Sequence, residues 1–332
     1  MTGSERPGGS SEGPGSSSGD PTVVGVGNAL VDRTYLLSNL PEPDGGASVE
    51  AYEERPGGVE ANVVTALARL GHDVGVIARL GDDDVAETVL TDLDDRGVDR
   101  SRVRVVEDET SSYCLVLRNR AGERMIIGGG DGTANLALDD ADLAYLADAT
   151  AAFTSGYAPP RVHERLAAAR DDGRLSGLVF DLAGRLADLE TRGLDAGTID
   201  ATATACDLFL GNRPAVQSYV GGSDVDELVD GLRSRGVGRG AVTDGPSGAT
   251  LFDEDRTVSV PAFDVDVVDT TGAGDAFAAG LVDAWILRDE PMERAGRFAG
   301  AVAALGCTGE GARGNLPARE AVEEFLESCS SV

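Results

Sequence analysis

The sequence predicts an α/β fold with a mainly parallel central sheet, helices on both of its faces and a small β unit attached. Three observations carry that expectation. From about Asp139 onward, helical stretches alternate with short apolar strands near Ala151–Thr154, Leu178–Asp181, Leu208–Leu210 and Gly240–Thr243, the rhythm of right-handed βαβ units. Earlier in the chain, Ser111–Asn119 and Arg124–Ile127 flank Arg120-Ala121-Gly122-Glu123 as a hairpin, and a hairpin inserted into an α/β chain is a candidate lid. The 332 residues, 41% of them hydrophobic, suffice for one large domain or two small ones.

Taken in order, residues 1–20 are mostly Gly, Ser, Pro and acidic side chains. They bury too little surface to offset ordering entropy, so a disordered tail is expected ahead of one domain over 21–332. Thr22–Gly27 reads as a buried first strand, and Gly25 and Gly27 lack the third glycine of a dinucleotide fingerprint. Asp32, beyond that strand, either caps a turn or offers two acceptor oxygens to vicinal hydroxyls. Pro41–Gly46 is turn-rich and Ala47–Glu53 reads as a short strand, which with the later hairpin gives a lid over about 45–54 and 110–128. Gly57 and Gly58 permit close approach to the backbone just ahead of a helix over Glu60–Leu70, with Asn62 in its first turn able both to donate and to accept. A strand over Val74–Leu80, an acidic turn at Asp82–Asp84 that opens a helix over Val85–Arg96, a hairpin over Ala249–Val260, helices over Met292–Leu305 and Ala318–Ser328, and a loop over Thr308–Gly314 complete the outline.

Charge narrows the function. A formal net charge of −30 repels nucleic acid and anionic membranes, so neither is expected as a partner. All 28 basic residues are Arg. A chain without Lys has no Walker A lysine, no protein-kinase strand lysine and no Schiff-base nucleophile, so any phosphate must be held by Arg, backbone amides or a metal ion. Acidity with Lys depleted is similar to the cytosolic proteins of salt-accumulating halophiles, and a halophilic archaeon is the expected source. Cys114, Cys206, Cys307 and Cys329 are widely spaced, without zinc or iron–sulfur spacing, and read as reduced thiols. No signal-peptide pattern or long apolar run is seen, so a cytoplasmic location is expected.

The chemistry concentrates in Asp269-Thr270-Thr271-Gly272-Ala273-Gly274-Asp275-Ala276-Phe277, which opens an apolar helix ending near Leu287. A Gly-Ala-Gly turn at a helix entrance presents unpaired N–H groups and the positive dipole end, a fit for phosphate. Asp275 beside that cradle either accepts a proton from an attacking hydroxyl or complements the helix dipole.

Together with Gly57-Gly58-x-x-Ala61-Asn62, this stretch makes the chain resemble the ribokinase-like, or phosphofructokinase B, carbohydrate kinases over about Val23 to Ala312. The resemblance implies a three-layer α/β/α domain with a β lid, and transfer of the ATP γ-phosphoryl group to a hydroxyl of a small sugar. It implies that Asp275 is the base and that the amides of Gly272, Ala273 and Gly274 form the anion hole. Asp32, Gly57, Gly58 and Asn62 would bind the sugar. Asn212, Thr243, Gly245, Gly248, Gly311 and Ala312 would bind the nucleotide, with Mg²⁺ as its companion, and Asp269 and Thr271 stand where many members help bind a monovalent cation such as K⁺. Three positions depart from the pattern: Asn212-Arg213-Pro214-Ala215 lacks the Glu that organises Mg²⁺ in many members, Gly300 stands where many carry Asn, and Ala86 replaces a common glycine. A nucleoside acceptor, with Tyr35, Tyr113 or Tyr157 against the base, is the alternative. A pentose phosphate held by Arg118 and Arg124 is a variant, and a non-catalytic sugar-binding regulator is a third reading. An uncovered lid sheet favours a homodimer.

Overall fold

The computed structural model describes residues 21–330, so the expected tail over residues 1–20 lies outside them. Strand β1 (Val23–Val26) is buried at all four positions, as an unbroken apolar run requires of a strand covered on both faces. The chain then leaves the main sheet for β2 (Leu30–Leu37) and β3 (Val49–Gly57), and helix α1 (Val59–Arg69) returns it to β4 (Val74–Gly81). Helix α2 (Asp84–Asp95) opens on Asp83, whose carboxylate accepts from the Ala86 N–H at 3.1 Å, and leads to β5 (Asp99–Val106). The acidic run at 82–84 is therefore a helix start. β6 (Tyr113–Asn119) and β7 (Arg124–Gly129) form the hairpin read from the sequence.

The alternating half follows: α3 (Asp140–Ala147), β8 (Ala151–Ser155), α4 (Pro160–Asp171), β9 (Leu178–Asp181), α5 (Leu186–Glu190), α6 (Ala196–Ala205), β10 (Leu208–Asn212), α7 (Arg213–Val220), α8 (Val225–Ser234) and β11 (Gly240–Thr243). A hairpin of β12 (Ala249–Phe252) and β13 (Thr257–Val260) precedes α9 (Ala273–Leu281), which continues as a π-helical turn over Val282–Leu287. Helices α10 (Met292–Gly306) and α11 (Arg319–Ser330) close the chain as described. No helix among the described residues is long and apolar enough to cross a membrane.

Among the described residues the strands form two sheets. The larger has the order β13-β12-β11-β10-β9-β8-β1-β4-β5, parallel from β11 to β5, with β12 and β13 antiparallel at one edge. One face packs against α1, α2, α9 and α10 around Leu67, Leu93, Phe277 and Phe298; the other carries α3, α4, α6, α7 and α8 over Phe180, Phe209, Leu166 and Leu232. The smaller sheet has the order β3-β2-β6-β7, so the segments expected to form a lid do pair as a sheet, with β2, to which the sequence reading assigned no element, at its centre. Asp32 accordingly sits in β2 of the small sheet, not at the end of β1.

β1 lies where the chain's progress across the large sheet reverses, with β4 on one side and β8 on the other. Ligands of open α/β sheets bind at such a switch point, outside the carboxyl ends of the strands. Here it is stitched by Glu60, fully buried in the first turn of α1: its carboxylate accepts the Asn28 N–H beyond β1 at 2.8 Å and the Ser155 N–H at the end of β8 at 2.7 Å.

The opposite sheet edge, β5, has a sequence too polar to read as a strand. It is held by Arg102 and Arg104, which both reach Asp142 in the first turn of α3; Asp142 is fully buried and completes a capping box with Asp139. The Arg102–Asp142 pair is at 2.6 Å. Replacing Asp142 by Ala removes a cap and leaves two arginines short of their partner, so Asp142→Ala should cost about 2–4 kcal/mol in urea unfolding; a loss below about 0.5 kcal/mol would mean that β5 is held without this clamp.

Candidate active site

The floor of the site is the N-terminus of α9. Beyond β13 the chain runs without regular structure to Gly272, which takes a left-handed φ of 74° as the helix N-cap; a Cβ there would lie 2.6 Å from that of Ala312, so glycine is required twice over. Asp269 latches this turn to the loop after α10. One carboxylate oxygen accepts the Thr271 N–H at 2.9 Å and its hydroxyl at 2.8 Å, and the other accepts the Gly311 N–H at 2.9 Å. Burial would raise the Asp269 pKa, but these hydrogen bonds outweigh it and hold the carboxyl below its usual range. Both oxygens are thereby engaged by N–H and O–H donors. A K⁺ ion at Asp269 and Thr271 would have to use the carboxylate lone pair that these three donors leave free, since a carboxylate offers about four acceptor sites.

At the mouth of α9 the Ala273 N–H closes a turn onto Thr270 O at 3.2 Å, whereas the space over Gly274 is open for 4 Å around an added Cβ. Asp275, one residue on, is reached by the Asn62 amide, Nδ2 donating to its carboxylate at 2.7 Å. Asn62 is oriented in turn by Arg313, whose Nε donates to Asn62 Oδ1 at 2.7 Å while Nη2 donates to Gly57 O at 3.0 Å. Arg313 is buried and paired with Asp92 of α2. Gly58, with φ of 98°, turns the backbone into α1; a Cβ there would lie 2.7 Å from Asn28 O.

The electrostatics are those of crowded carboxylates. Burial raises the Asp275 pKa to about 7 against the pull of the Asn62 hydrogen bond, and the charges of Asp181, Glu60 and Asp32 push the same way as burial. Glu60 is pushed up to about 7 and Asp181 to about 6, in each case first by burial. The Asp32 carboxyl is raised by burial despite the opposing Arg313 charge and a hydrogen bond from Cys114.

A cavity of about 150 Å³ opens beside Asp275, with Tyr157, Asp181, Asn212, Thr243 and Gly274 in its lining. Asn212 caps α7, accepting the Ala215 N–H at 2.9 Å, and stands opposite Thr243 in the β10–β11 register. Gly245 and Gly248 shape the turn after β11, with Gly248 packed flat on the end of β13. Gly311 and Ala312 lie where Arg55 of β3 joins the C-terminal loop, donating to Glu310 O at 2.7 Å. At Gly300 the Phe263 ring comes within 3.4 Å of an added Cβ.

Residues 20–319 match the pfkB family carbohydrate kinases. The chain belongs to that family. It is 34% identical to the ATP-dependent ribose-1-phosphate kinase of Halopiger xanaduensis over 92% of this chain and 97% of that protein. It is 30% identical to fructokinase-1 of Oryza sativa, over 92% and 98%, and 27% identical to a nucleoside kinase of Methanothermobacter thermautotrophicus, over 92% and 96%. The Arabidopsis thaliana ribokinase solved with ribose and ATP superimposes with a TM-score of 0.81 at 23% identity, over 92% of this chain and 99% of that one, which fixes the fold as ribokinase-like. The protein is an ATP-dependent phosphotransferase with an alcohol acceptor.

This pfkB kinase brings Asn212, Thr243, Gly274 and Asp275 around one cavity, with Asn62 hydrogen-bonded to Asp275 and Asp32 packed against Gly57. Sequence reading missed Glu60, Asp181 and Arg313. Asp181 had a signal, since it ends an apolar strand, but Arg313 had none beyond following Gly311-Ala312. No cluster of three or more His, Cys, Asp or Glu arranged for a metal occurs among the described residues. With Ala at 215, the side chains present would suit a Mg²⁺ carried on nucleotide phosphates rather than a protein cage, with Asp181 one of two carboxylates in the cavity lining.

The raised Asp275 pKa has a consequence for stability. Its folded value lies above the unfolded one, so the charged form is the destabilised form; the penalty is absent below about pH 4 and complete above about pH 7. Asp275→Asn should therefore raise the Tm at pH 8 and leave it nearly unchanged at pH 4, and calorimetric scans showing no gain at pH 8 would contradict this electrostatic picture.

Proposed function

We propose that the kinase transfers the γ-phosphoryl group of ATP to a primary or anomeric hydroxyl of a pentose-class sugar, with Asp275 as general base. The observation that carries this reading is the Asp275 carboxylate held by Asn62 at the entrance of α9, beside the open space over Gly274. Asp32, Asn62 and the backbone at Gly57 and Gly58 hold the sugar hydroxyls. The acceptor oxygen attacks the γ-phosphorus in line as the bond to the β-phosphate oxygen breaks; its proton passes to Asp275, and ADP and a sugar phosphate leave. The amides of Gly272 and Gly274 and the α9 dipole stabilise charge on the transferring group, and Ala273 joins them when its turn loosens. Mg²⁺ bound to the nucleotide supplies further charge neutralisation. Thr243, Gly245, Gly248, Gly311 and Ala312 border the nucleotide, and Asn212 and Asp269 serve mainly to fix the loops that hold it.

The sheet of β2, β3, β6 and β7 is the lid, and its closure excludes water as a competing acceptor. Exposed Tyr52, Met125, Ile126 and Ile127 on this sheet support a homodimer formed through it. A net charge of −30, the absence of Lys and the Halopiger relative support a salt-rich cytoplasm as the working environment. The similarity to a nucleoside kinase and the Tyr157 ring in the cavity lining favour a nucleoside as the second choice of acceptor.

Asp275→Ala is expected to lower kcat by about 10²–10⁴-fold while leaving ATP affinity within a few-fold. ADP release with a panel of sugars, nucleosides and sugar phosphates, measured in high KCl with Mg²⁺, gives the acceptor; near-normal turnover by the variant would refute the base assignment. In the wild-type enzyme kcat/KM for the acceptor should rise through an acid limb near pH 7, because the base must be ionised. Arg313→Met takes away a positive charge that favours the ionised carboxylates, so this limb should move to higher pH. An unmoved or lowered limb would count against Arg313 as the residue that positions and charges the site.

A further inference from the structure

Arg192 lies two residues beyond α5, its backbone fixed by a bond from its N–H to Leu189 O at 2.9 Å. Its guanidinium stacks on the Tyr157 ring, 5.3 Å from the centroid. On the other side it rests against the small sheet: a Cβ added to Gly128 of β7 would be 3.0 Å from Arg192 Nη2. Gly128 is in register with Cys114 of β6, and Cys114 with Asp32 of β2, so these three share one face of the lid. The positive charge of Arg192 acts on the Cys114 thiol, which itself is hydrogen-bonded to Asp32. Tyr157 in turn lines the cavity with Asp181 and Asp275, and its phenol feels Arg192, Asp181, Asp188 and Asp275 together. The guanidinium thus stands between the sugar face of the lid and the cavity.

It is also unengaged. Acidic residues outnumber basic ones 58 to 28, yet the Arg192 guanidinium makes no ion pair or hydrogen bond among the described residues, even with Asp188 one helical turn earlier. Its neighbours in the site, Arg55 and Arg313, are both paired. A neutral pentose is held by hydrogen-bonding side chains and needs no cation. A phosphate group approaching Asp32, Asp181 and Asp275 meets only repulsion unless a counter-charge is waiting, and a planar fork with free N–H groups matches phosphate oxygens.

We propose that Arg192 anchors a phosphomonoester carried by the acceptor, so that the preferred acceptor is a phosphorylated pentose rather than the free sugar; this rests on the kinase reading given above. The phosphate lies against Arg192 under β7, the sugar ring passes Tyr157, and the hydroxyl at its other end reaches Asp275.

The test compares wild type, Arg192→Ala and Arg192→Gln. Kinetics with ribose, ribose 1-phosphate and ribose 5-phosphate are joined by calorimetric titration of the same sugars and of inorganic phosphate in the absence of ATP. Wild type should show a lower KM for one of the two sugar phosphates than for ribose. Both variants should raise that KM by about 10- to 100-fold and leave the KM for ribose and for ATP within about twofold, since charge-assisted hydrogen bonds are of this strength. An unchanged KM for the sugar phosphate, an equal loss for ATP, or an Arg192-dependent heat from inorganic phosphate as large as that from the sugar phosphates would overturn the assignment. Turnover of ribose with no Arg192 dependence for any sugar phosphate sinks the anchor and keeps the kinase. Arg192-dependent binding without turnover of any acceptor keeps the anchor and sinks the catalytic reading.

Discussion

The hydrogen-bonded chain from Arg313 through Asn62 to Asp275 is the interaction on which the site depends. It joins the first turn of α1 to the first turn of α9 and to the C-terminal loop, each more than 200 residues further along the sequence. Because Arg313 donates to the amide oxygen of Asn62, the amide nitrogen must face Asp275, and the direction of each bond follows from the one before. Arg313 is itself buried, so its charge is tolerated only with the Asp92 carboxylate and the Gly57 carbonyl as partners. The proposed sugar-side and phosphate-side halves are thereby built as one unit.

A second constraint is the density of negative charge. Asp32, Glu60, Asp181 and Asp275 act on one another within the site, and burial raises the pKa of each. Glu60 uses its charge structurally, stitching β1 to β8 at the reversal of the sheet, while Asp275 gains a pKa suited to taking a proton near neutrality. A chain without Lys meets phosphate in this setting with helix-end amides and Arg. The mutual repulsion of the carboxylates is borne by a sheet covered on both faces.

Much of the fold was legible because buried parallel strands are written as short apolar runs ended by Gly, Asp or Asn, as at Leu178–Asp181 and Gly240–Thr243. β2 and β5 were not. In β2, Asp32, Arg33 and Thr34 interrupt the apolar run, since the strand lies in a small sheet with half-open faces. In β5 the arginines Arg100, Arg102 and Arg104 look like a loop until Asp142, contributed by a distant helix, neutralises Arg102 and Arg104. A charge whose partner is remote in sequence leaves no local trace.

The sequence by itself determined the α/β class, the Gly272–Asp275 helix entrance with its companion glycines at 57 and 58, and the exclusion of lysine-based chemistry. These are local or compositional: a left-handed glycine, a helix start and a missing residue type need no third dimension. Only the tertiary structure decided that Asp32 belongs to the smaller sheet, that Asp269 has both oxygens engaged as a latch, and that Glu60, Asp181, Arg192 and Arg313 lie near Asp275 or the residues it contacts. Each of those outcomes rests on partners brought together from distant segments, and a carboxylate or guanidinium acquires its role from what burial and those partners do to its charge.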